Sequence, residues 1–492
     1  MAVATASDPV AFRPLEATES SSPAAAPAVL SDVEIAAPSR PAAGSVGGMW
    51  ALFVGLGMLM IGNGLNSAVI GVRSGTEGFS VVVTGVIMAG YFAGFLIAPT
   101  LVVRMIASVG HIRVFAGLAS TASTAVLVHS ISVNAPAWTL MRFVFGFCFA
   151  GLYIVIESWL NEMSDSTNRG RTLALYMIVS MSGLGIGQYL IALADPSTFR
   201  LFVISSVLVS MALVPITLAG TTRAPAIRLP DPVSVRELVR VVPSGVVGMF
   251  MTGAATGTLL SLSVVYATTV GLSVERTALF LLAPTVGGVV MQWPVGKLSD
   301  RVRRRVLIFA VAMAAAAMCV LGIVTPSDNP LKLMIMFGIG GTMYPLYSLV
   351  VSYTLDWVAV ERTVGASGTL VRLNGTGALV GPLLTAALMS SITPTMFYWM
   401  LGFYYSVIVA FILYRILFRE ALPKERERPY VPFPARATSV AFKLVIVPQR
   451  VTKRVGRNVA TRRHEHRADD HWFDEWHASH ADDRRSVGDD DS

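Results

Sequence analysis

Stretches of about eighteen or more mostly apolar residues recur along this chain, with short polar connections between them. They fall at roughly 48–71, 80–103, 113–132, 137–159, 172–194, 199–220, 244–270, 278–296, 305–324, 331–354, 364–390 and 395–417. At about 1.5 Å of rise per residue, each can cross ~30 Å of hydrocarbon as a helix. The pattern predicts about twelve transmembrane helices. The longest internal connection, Thr221 to Pro243, follows the sixth of them and carries Pro225, Pro230, Pro232 and a short amphipathic piece, Val233 to Val242. A proline-bearing linker halfway along predicts two bundles of six, over 47–220 and 244–418, joined by a cytoplasmic linker over 221–243. The ends are different in kind. Residues 1–46 are rich in Ala, Pro and Ser, and residues 419–492 are basic and then rich in His and Asp, so both read as disordered cytoplasmic tails.

Composition narrows the class. The chain is 54% hydrophobic and 14% charged, where soluble proteins carry about 25% charge. An all-α polytopic membrane protein fits, and a soluble one does not. With both tails in the cytoplasm, the inside connections carry fourteen Lys and Arg, from Arg104 to Arg362. The outside ones carry four, Arg73, Arg200, Arg276 and Lys332. That asymmetry satisfies the positive-inside rule, and it accounts for much of the net charge of +8 without any nucleic-acid partner. Cys148 and Cys319 lie in apolar stretches and supply neither a disulfide framework nor a thiol metal site. The first 46 residues lack the basic start and apolar core of a cleavable signal peptide. No metal or cofactor is expected.

Between the eighth and ninth apolar runs lies Gly296-Lys297-Leu298-Ser299-Asp300-Arg301-Val302-Arg303-Arg304-Arg305. A small residue, an acid and a basic cluster are compressed here into what reads as a short loop. Gly296 permits close approach of a neighbouring helix. Asp300 can pair with an arginine or sit at a helix end whose dipole attracts it. This G-x-L-x-D-R-x-x-R-R pattern resembles the signature loop of the major facilitator superfamily, with Arg303 where the family has its second glycine. The resemblance implies the major-facilitator fold, with Gly296, Asp300, Arg301, Arg304 and Arg305 forming part of the gate between two bundles. The stretch from Glu157 to Met177 is similar to the bacterial YcaD-type branch of that superfamily.

Ionisable groups inside membrane spans are costly and therefore mark function by default. Arg142, in Arg142-Phe143-Val144-Phe145-Gly146, is similar to the superfamily's fourth-helix arginine, which is linked to proton transfer or substrate binding; a snorkelling arginine is the other reading. Glu157, near the inner end of span four, reads as a proton-binding carboxylate, a gate salt bridge or a solvated interfacial acid. Arg372, with Asn374 close by in span eleven, points to the cavity or the gate. Asn63, Asn66, Gln188, Gln292 and Tyr344 are the uncharged cavity candidates, because an amide facing lipid is unfavourable. Gly183-x-x-x-Gly187 in span five and Gly377-x-x-x-Gly381 in span eleven fall at equivalent places in the two halves, as close-packed helices of an internal repeat do.

Together these features predict a secondary active transporter of a small solute in the bacterial inner membrane, working by alternating access, monomeric and coupled to protons. Two deep arginines suggest an anionic cargo, or an amphipathic one with an acidic group. A uniporter or exchanger, and a transport-dead sensor on the same scaffold, are the alternatives. An enzyme is not expected, because the spans place no acid beside His111 or His129. The absence of a G-x-x-x-x-G-K-[ST] loop argues against ATP-driven transport by this chain alone.

Overall fold

The computed structural model describes residues 49–164, 168–218, 233–359 and 362–418, together with Glu427 and Tyr430. The described residues contain twelve helical stretches long and apolar enough to cross a membrane. The first half comprises α1 (Trp50–Thr76), α2 (Val81–Val109), α3 (His111–Ile131), α4 (Ala135–Met163) and α5 (Arg169–Tyr189), the last extended by a 3-10 turn, Leu190–Leu193. Its sixth span is divided into α6 (Arg200–Met211) and α7 (Leu213–Leu218). The short α8 (Val235–Val241) leads into the second half: α9 (Pro243–Thr269), α10 (Val274–Arg301), α11 (Arg304–Val324), α12 (Leu331–Leu355), α13 (Thr363–Ser391) and α14 (Met396–Phe418). Trp50 and Phe418 lie at the same end of the bundle, called proximal here; the opposite end is distal.

Helix boundaries follow local chemistry. Ser80, Asn134, Ser234 and Ser273 cap α2, α4, α8 and α10, each side-chain oxygen accepting from a backbone N–H three residues on. Several helices outrun their apolar cores. The clearest correction is at the signature stretch. Helix α10 continues through Gly296 to Arg301, leaving Val302 and Arg303 as the turn, because Lys, Leu, Ser, Asp and Arg all tolerate helix once Pro294 is passed. Likewise α4 runs to Met163, which puts Glu157 well inside the helix rather than at its end. The expectation of disordered tails falls outside the described residues, except at Glu427 and Tyr430. These two pack against the second half.

The halves are built on one plan, repeated at an offset of 193 or 194 residues. Gly94 of α2 lies so close to α4 that an added Cβ would come within 2.0 Å of the Phe143 carbonyl oxygen; Gly287 of α10 meets Phe337 of α12 at 1.9 Å. Gly146 on α4 and Gly340 on α12 return the contact, toward Tyr91 and Pro284. The two G-x-x-x-G pairs do the same work on the other side, Gly187 against Ile61 of α1 and Gly381 against Ala254 of α9. Backbones meet at distances no side chain allows, the usual way membrane helices gain packing energy without a hydrophobic drive between them.

At their distal ends the halves are joined by α1 to α9, α2 to α13 and α5 to α10. Gly71 leaves room for Val264, Gly85 for Ala386, and Gly185 for Leu282 and Thr285. The Thr285 hydroxyl donates to Gln188 Oε1 across this seam at 3.2 Å.

Candidate transport site

Glu157 has 0% exposure, deep in α4. Its Oε1 accepts a hydrogen bond from the Tyr176 hydroxyl of α5 at 2.7 Å. Tyr347 of α12, from the other half, stands close enough to feel the carboxylate's charge. Tyr153, one helical turn before Glu157, adds a third polar ring, its hydroxyl donating to Met60 Sδ of α1 at 2.8 Å. An acid removed from water needs partners to hold it. Tyr176 is one such partner, its hydroxyl donating a hydrogen bond to the carboxylate without carrying a positive charge. Such a carboxyl can take up a proton and keep its neighbours.

Toward the distal end of α4, Arg142 is 2% exposed and its guanidinium lies 5.1 Å from the centre of the Tyr91 ring and 6.0 Å from Phe145. It is buried among rings rather than snorkelling, and the aromatic faces stabilise its charge. On α1, Asn63 and Asn66 are fully buried, and their amide atoms have no hydrogen-bond partner among the described residues. Buried amides of this kind call for water or a polar solute.

Other candidates have different work. Asn374 is buried and donates to the Met249 carbonyl at 3.3 Å, clipping α13 to α9. Gln188 belongs to the distal seam already described. Tyr344 is buried against Gly288, where any Cβ would strike its ring. Arg372 is exposed and its Nε reaches only the Gly368 carbonyl of its own helix, at 3.4 Å. On α4 itself a cation and an anion, Arg142 and Glu157, are both buried.

The signature residues form a second, proximal cluster. Arg304 makes a buried ion pair with Asp356, and its Nε lies 3.4 Å from Ser299 Oγ. Arg305 donates to the Arg415 carbonyl at 3.0 Å, and Arg301 is exposed. Gln292 belongs here too, its Nε2 donating to Ser348 Oγ at 3.2 Å and to the Tyr430 hydroxyl at 2.9 Å. Gly296 makes room for the Tyr430 ring rather than for a helix, an added Cβ falling 2.8 Å from it. Asp300 accepts from the Tyr430 backbone N–H at 3.1 Å. Sequence reasoning missed Tyr153, Tyr176, Tyr347 and Tyr430. Tyr153 and Tyr347 carry a signal, since they are equivalent positions of the repeat. Among the described residues no group of His, Cys, Asp and Glu could hold a metal ion, and the histidine-rich tail lies outside them.

Two six-helix halves related by an internal repeat, with polar groups at their junction, define the architecture of a membrane transporter. The profile of the Major Facilitator Superfamily matches residues 45–344 and 245–459, and the chain belongs to that superfamily. It is 25% identical over 378 residues to the "Uncharacterized MFS-type transporter YcaD" of Escherichia coli O45:K1 (strain S88 / ExPEC), covering 75% of this chain and 95% of the relative. A Yersinia enterocolitica MFS-type transporter is 25% identical over 354 residues, or 70% of this chain and 88% of that one. Among solved structures, the nucleoside transporter NupG superposes with a TM-score of 0.61 at 10% identity, covering 76% of this chain and all of that one. A bacterial homologue of the human lysosomal transporter Spinster, in an inward-facing conformation, gives 0.58 at 14% identity, over 79% and 98%.

Proposed function

We propose that this protein is a proton-coupled secondary transporter of a small solute, with Glu157 as the proton-carrying group. The observation that carries the reading is the fully buried Glu157 carboxylate, hydrogen-bonded within its own half to Tyr176 and faced by Tyr347 from the other. Rocking of the halves changes the distance between Glu157 and Tyr347. The stability of the charged carboxyl then depends on which face is open, and that dependence is what coupling requires. The cargo is a small polar solute that hydrogen-bonds to the unsatisfied amides of Asn63 and Asn66 and sits within reach of Arg142. The protein works as a monomer in the bacterial inner membrane. Its proximal face is cytoplasmic, because the connections on that side carry the excess of Lys and Arg.

The test begins with a panel of metabolites screened for an increase in melting temperature. Hits are then followed as flux into liposomes, with and without an imposed pH gradient. Wild-type protein is expected to accumulate the solute only under the gradient. Glu157→Gln is expected to keep binding and downhill exchange while losing accumulation. Accumulation by Glu157→Gln equal to wild type would remove Glu157 from the mechanism.

A further inference from the structure

The distal face of the second half holds an open hollow of about 470 Å³ between the α9–α10 turn and the α11–α12 turn. Val270 and Leu272 form its apolar side, and Arg276, Ser327 and Asp328 its polar one. Arg276 and Asp328 are exposed, and among the described residues neither makes an ion pair. Ser327 ends a line of polar groups that starts inside the protein. Buried Lys332 donates from Nζ to the Tyr266 hydroxyl at 3.0 Å, and that hydroxyl lies 3.4 Å from Ser327 Oγ. A phenol oxygen that accepts from an ammonium has its own hydrogen left to give to Ser327 Oγ. The Ser327 hydrogen then points into the hollow, with a buried positive charge behind it. Among the described residues no carboxylate pairs with Lys332, so its charge adds to that of Arg276.

The internal repeat sets this hollow apart from the shared plan. The first-half residues equivalent to Leu272, Arg276 and Lys332 are Phe79, Val83 and Trp138. There the Phe79 and Trp138 rings pack edge to face with centres 5.4 Å apart, and Trp138 is fully buried. Where one half has two packed rings and a valine, the other has a smaller aliphatic side chain and two cations. The α11–α12 turn, 325–330, is also longer than its counterpart, 132–134, and the longer turn carries Ser327 and Asp328.

We infer that the hollow is a binding site for a small zwitterion, an α-amino acid with an apolar side chain. Arg276 and the Ser327 hydroxyl take the carboxylate, Asp328 takes the ammonium, and Val270 and Leu272 cover the side chain. Hydrogen bonds between charged partners are the strong ones, and a ligand with a single charge leaves Arg276 or Asp328 unanswered. The site lies wholly within the second half and does not depend on proton coupling at Glu157 or on which face of the transporter is open.

The experiment is isothermal titration of the full chain in phosphatidylcholine nanodiscs with three probes of similar shape: L-leucine, isocaproate and isoamylamine. L-leucine is expected to bind about tenfold or more tightly than either probe of single charge. Arg276→Gln and Asp328→Asn, both at exposed positions, should each weaken L-leucine by about tenfold or more with the melting temperature unchanged. Leu272→Trp, which puts a large ring where the first half has Phe79, should abolish binding. No binding of L-leucine to wild type, or unchanged affinity in both charge variants, would overturn the site. Isocaproate binding as tightly as L-leucine would overturn the zwitterion. A second set of nanodiscs contains phosphatidylethanolamine, whose headgroup carries the same pair of charges. Equal L-leucine affinity in the two sets is expected, and a large loss in the second would overturn the free amino acid as occupant in favour of the headgroup.

Discussion

Where the first half has Glu157 the second has Val351, and where it has Arg142 the second has Met336. At the proximal rim the imbalance reverses. Gly296, Asp300 and Arg304 of the second half correspond to Val103, Ala107 and His111 of the first, and Asp356 corresponds to Glu162. Gly94 and Gly287, Gly146 and Gly340, keep their places in both. The backbone plan has been held constant while the charges were divided: interior chemistry in one half, a rim lock in the other. A machine that rocks one half against the other needs the shared plan to fit together. In the proposed proton coupling, the asymmetry lets a proton bound on one side of the seam be felt by a neutral partner on the other.

The shared plan can be broken most severely. Gly94→Leu and Gly287→Leu each drive a side chain into a facing carbonyl at about 2 Å. Both are expected to exceed the ~3 kcal/mol that overpacking typically costs and to leave no monodisperse folded protein on size-exclusion chromatography. Gly117→Ala, which meets nothing within 4 Å, stays within about 0.5 kcal/mol of wild type. If one of the two leucine variants folds normally, the halves do not pack alike.

The division of charge predicts a smaller but clear contrast. Asp356→Ala removes the buried carboxylate that pairs with Arg304 and should cost about 3–5 kcal/mol in thermal or denaturant unfolding. Glu162→Ala, at the equivalent exposed place, should change stability by no more than about 0.5 kcal/mol. Equal losses would mean that the rim lock is not confined to the second half.

The finest distinction lies at the distal face. Lys332 is buried, with Nζ 2.6 Å from the Gly322 carbonyl, 3.0 Å from the Tyr266 hydroxyl and 4.3 Å from the centre of the Tyr398 ring. Arg73, which stands where the second half has Tyr266, lies 5.6 Å from the Phe202 ring and reaches a surface partner, Glu77. Lys332→Ala should cost about 1–3 kcal/mol, because it deprives buried acceptors of a charged donor. Arg73→Ala should cost less, about 0.5–1 kcal/mol, because Arg73 keeps an edge to solvent beside exposed Glu77 and its Thr198 carbonyl contact is long at 3.4 Å. A reversed order would show that Arg73, not Lys332, is the anchored cation.

Most of the architecture was legible in the sequence, since lipid forces each crossing to be a continuous apolar helix of fixed minimum length. The paired G-x-x-x-G stretches located the repeat because close backbone contact leaves glycine as the residue that fits. Helix ends were less legible: Lys297, Asp300 and Arg301 read as loop by polarity, yet polarity does not end a helix. Glu157 was found by its charge, whereas its partners were not. Tyr176 and Tyr347 look like ordinary apolar-run aromatics until helices from elsewhere in the chain bring them to the carboxylate. Tyr430 was hidden for the opposite reason, a buried ring in a segment whose composition promised none. Arg372 shares its face of α13 with Gly375, which meets Leu96 of α2, so it stands exposed on the side turned toward the first half.

The central claim is that Glu157 carries the coupled proton, and infrared difference spectroscopy on the protein in nanodiscs tests it without a cargo. A pH step should produce a carbonyl band of a buried protonated carboxyl, present in wild type, absent in Glu157→Gln, and shifted in frequency in Tyr176→Phe, where its hydrogen-bond donor is gone. A wild-type band that persists unchanged in Glu157→Gln would contradict the account.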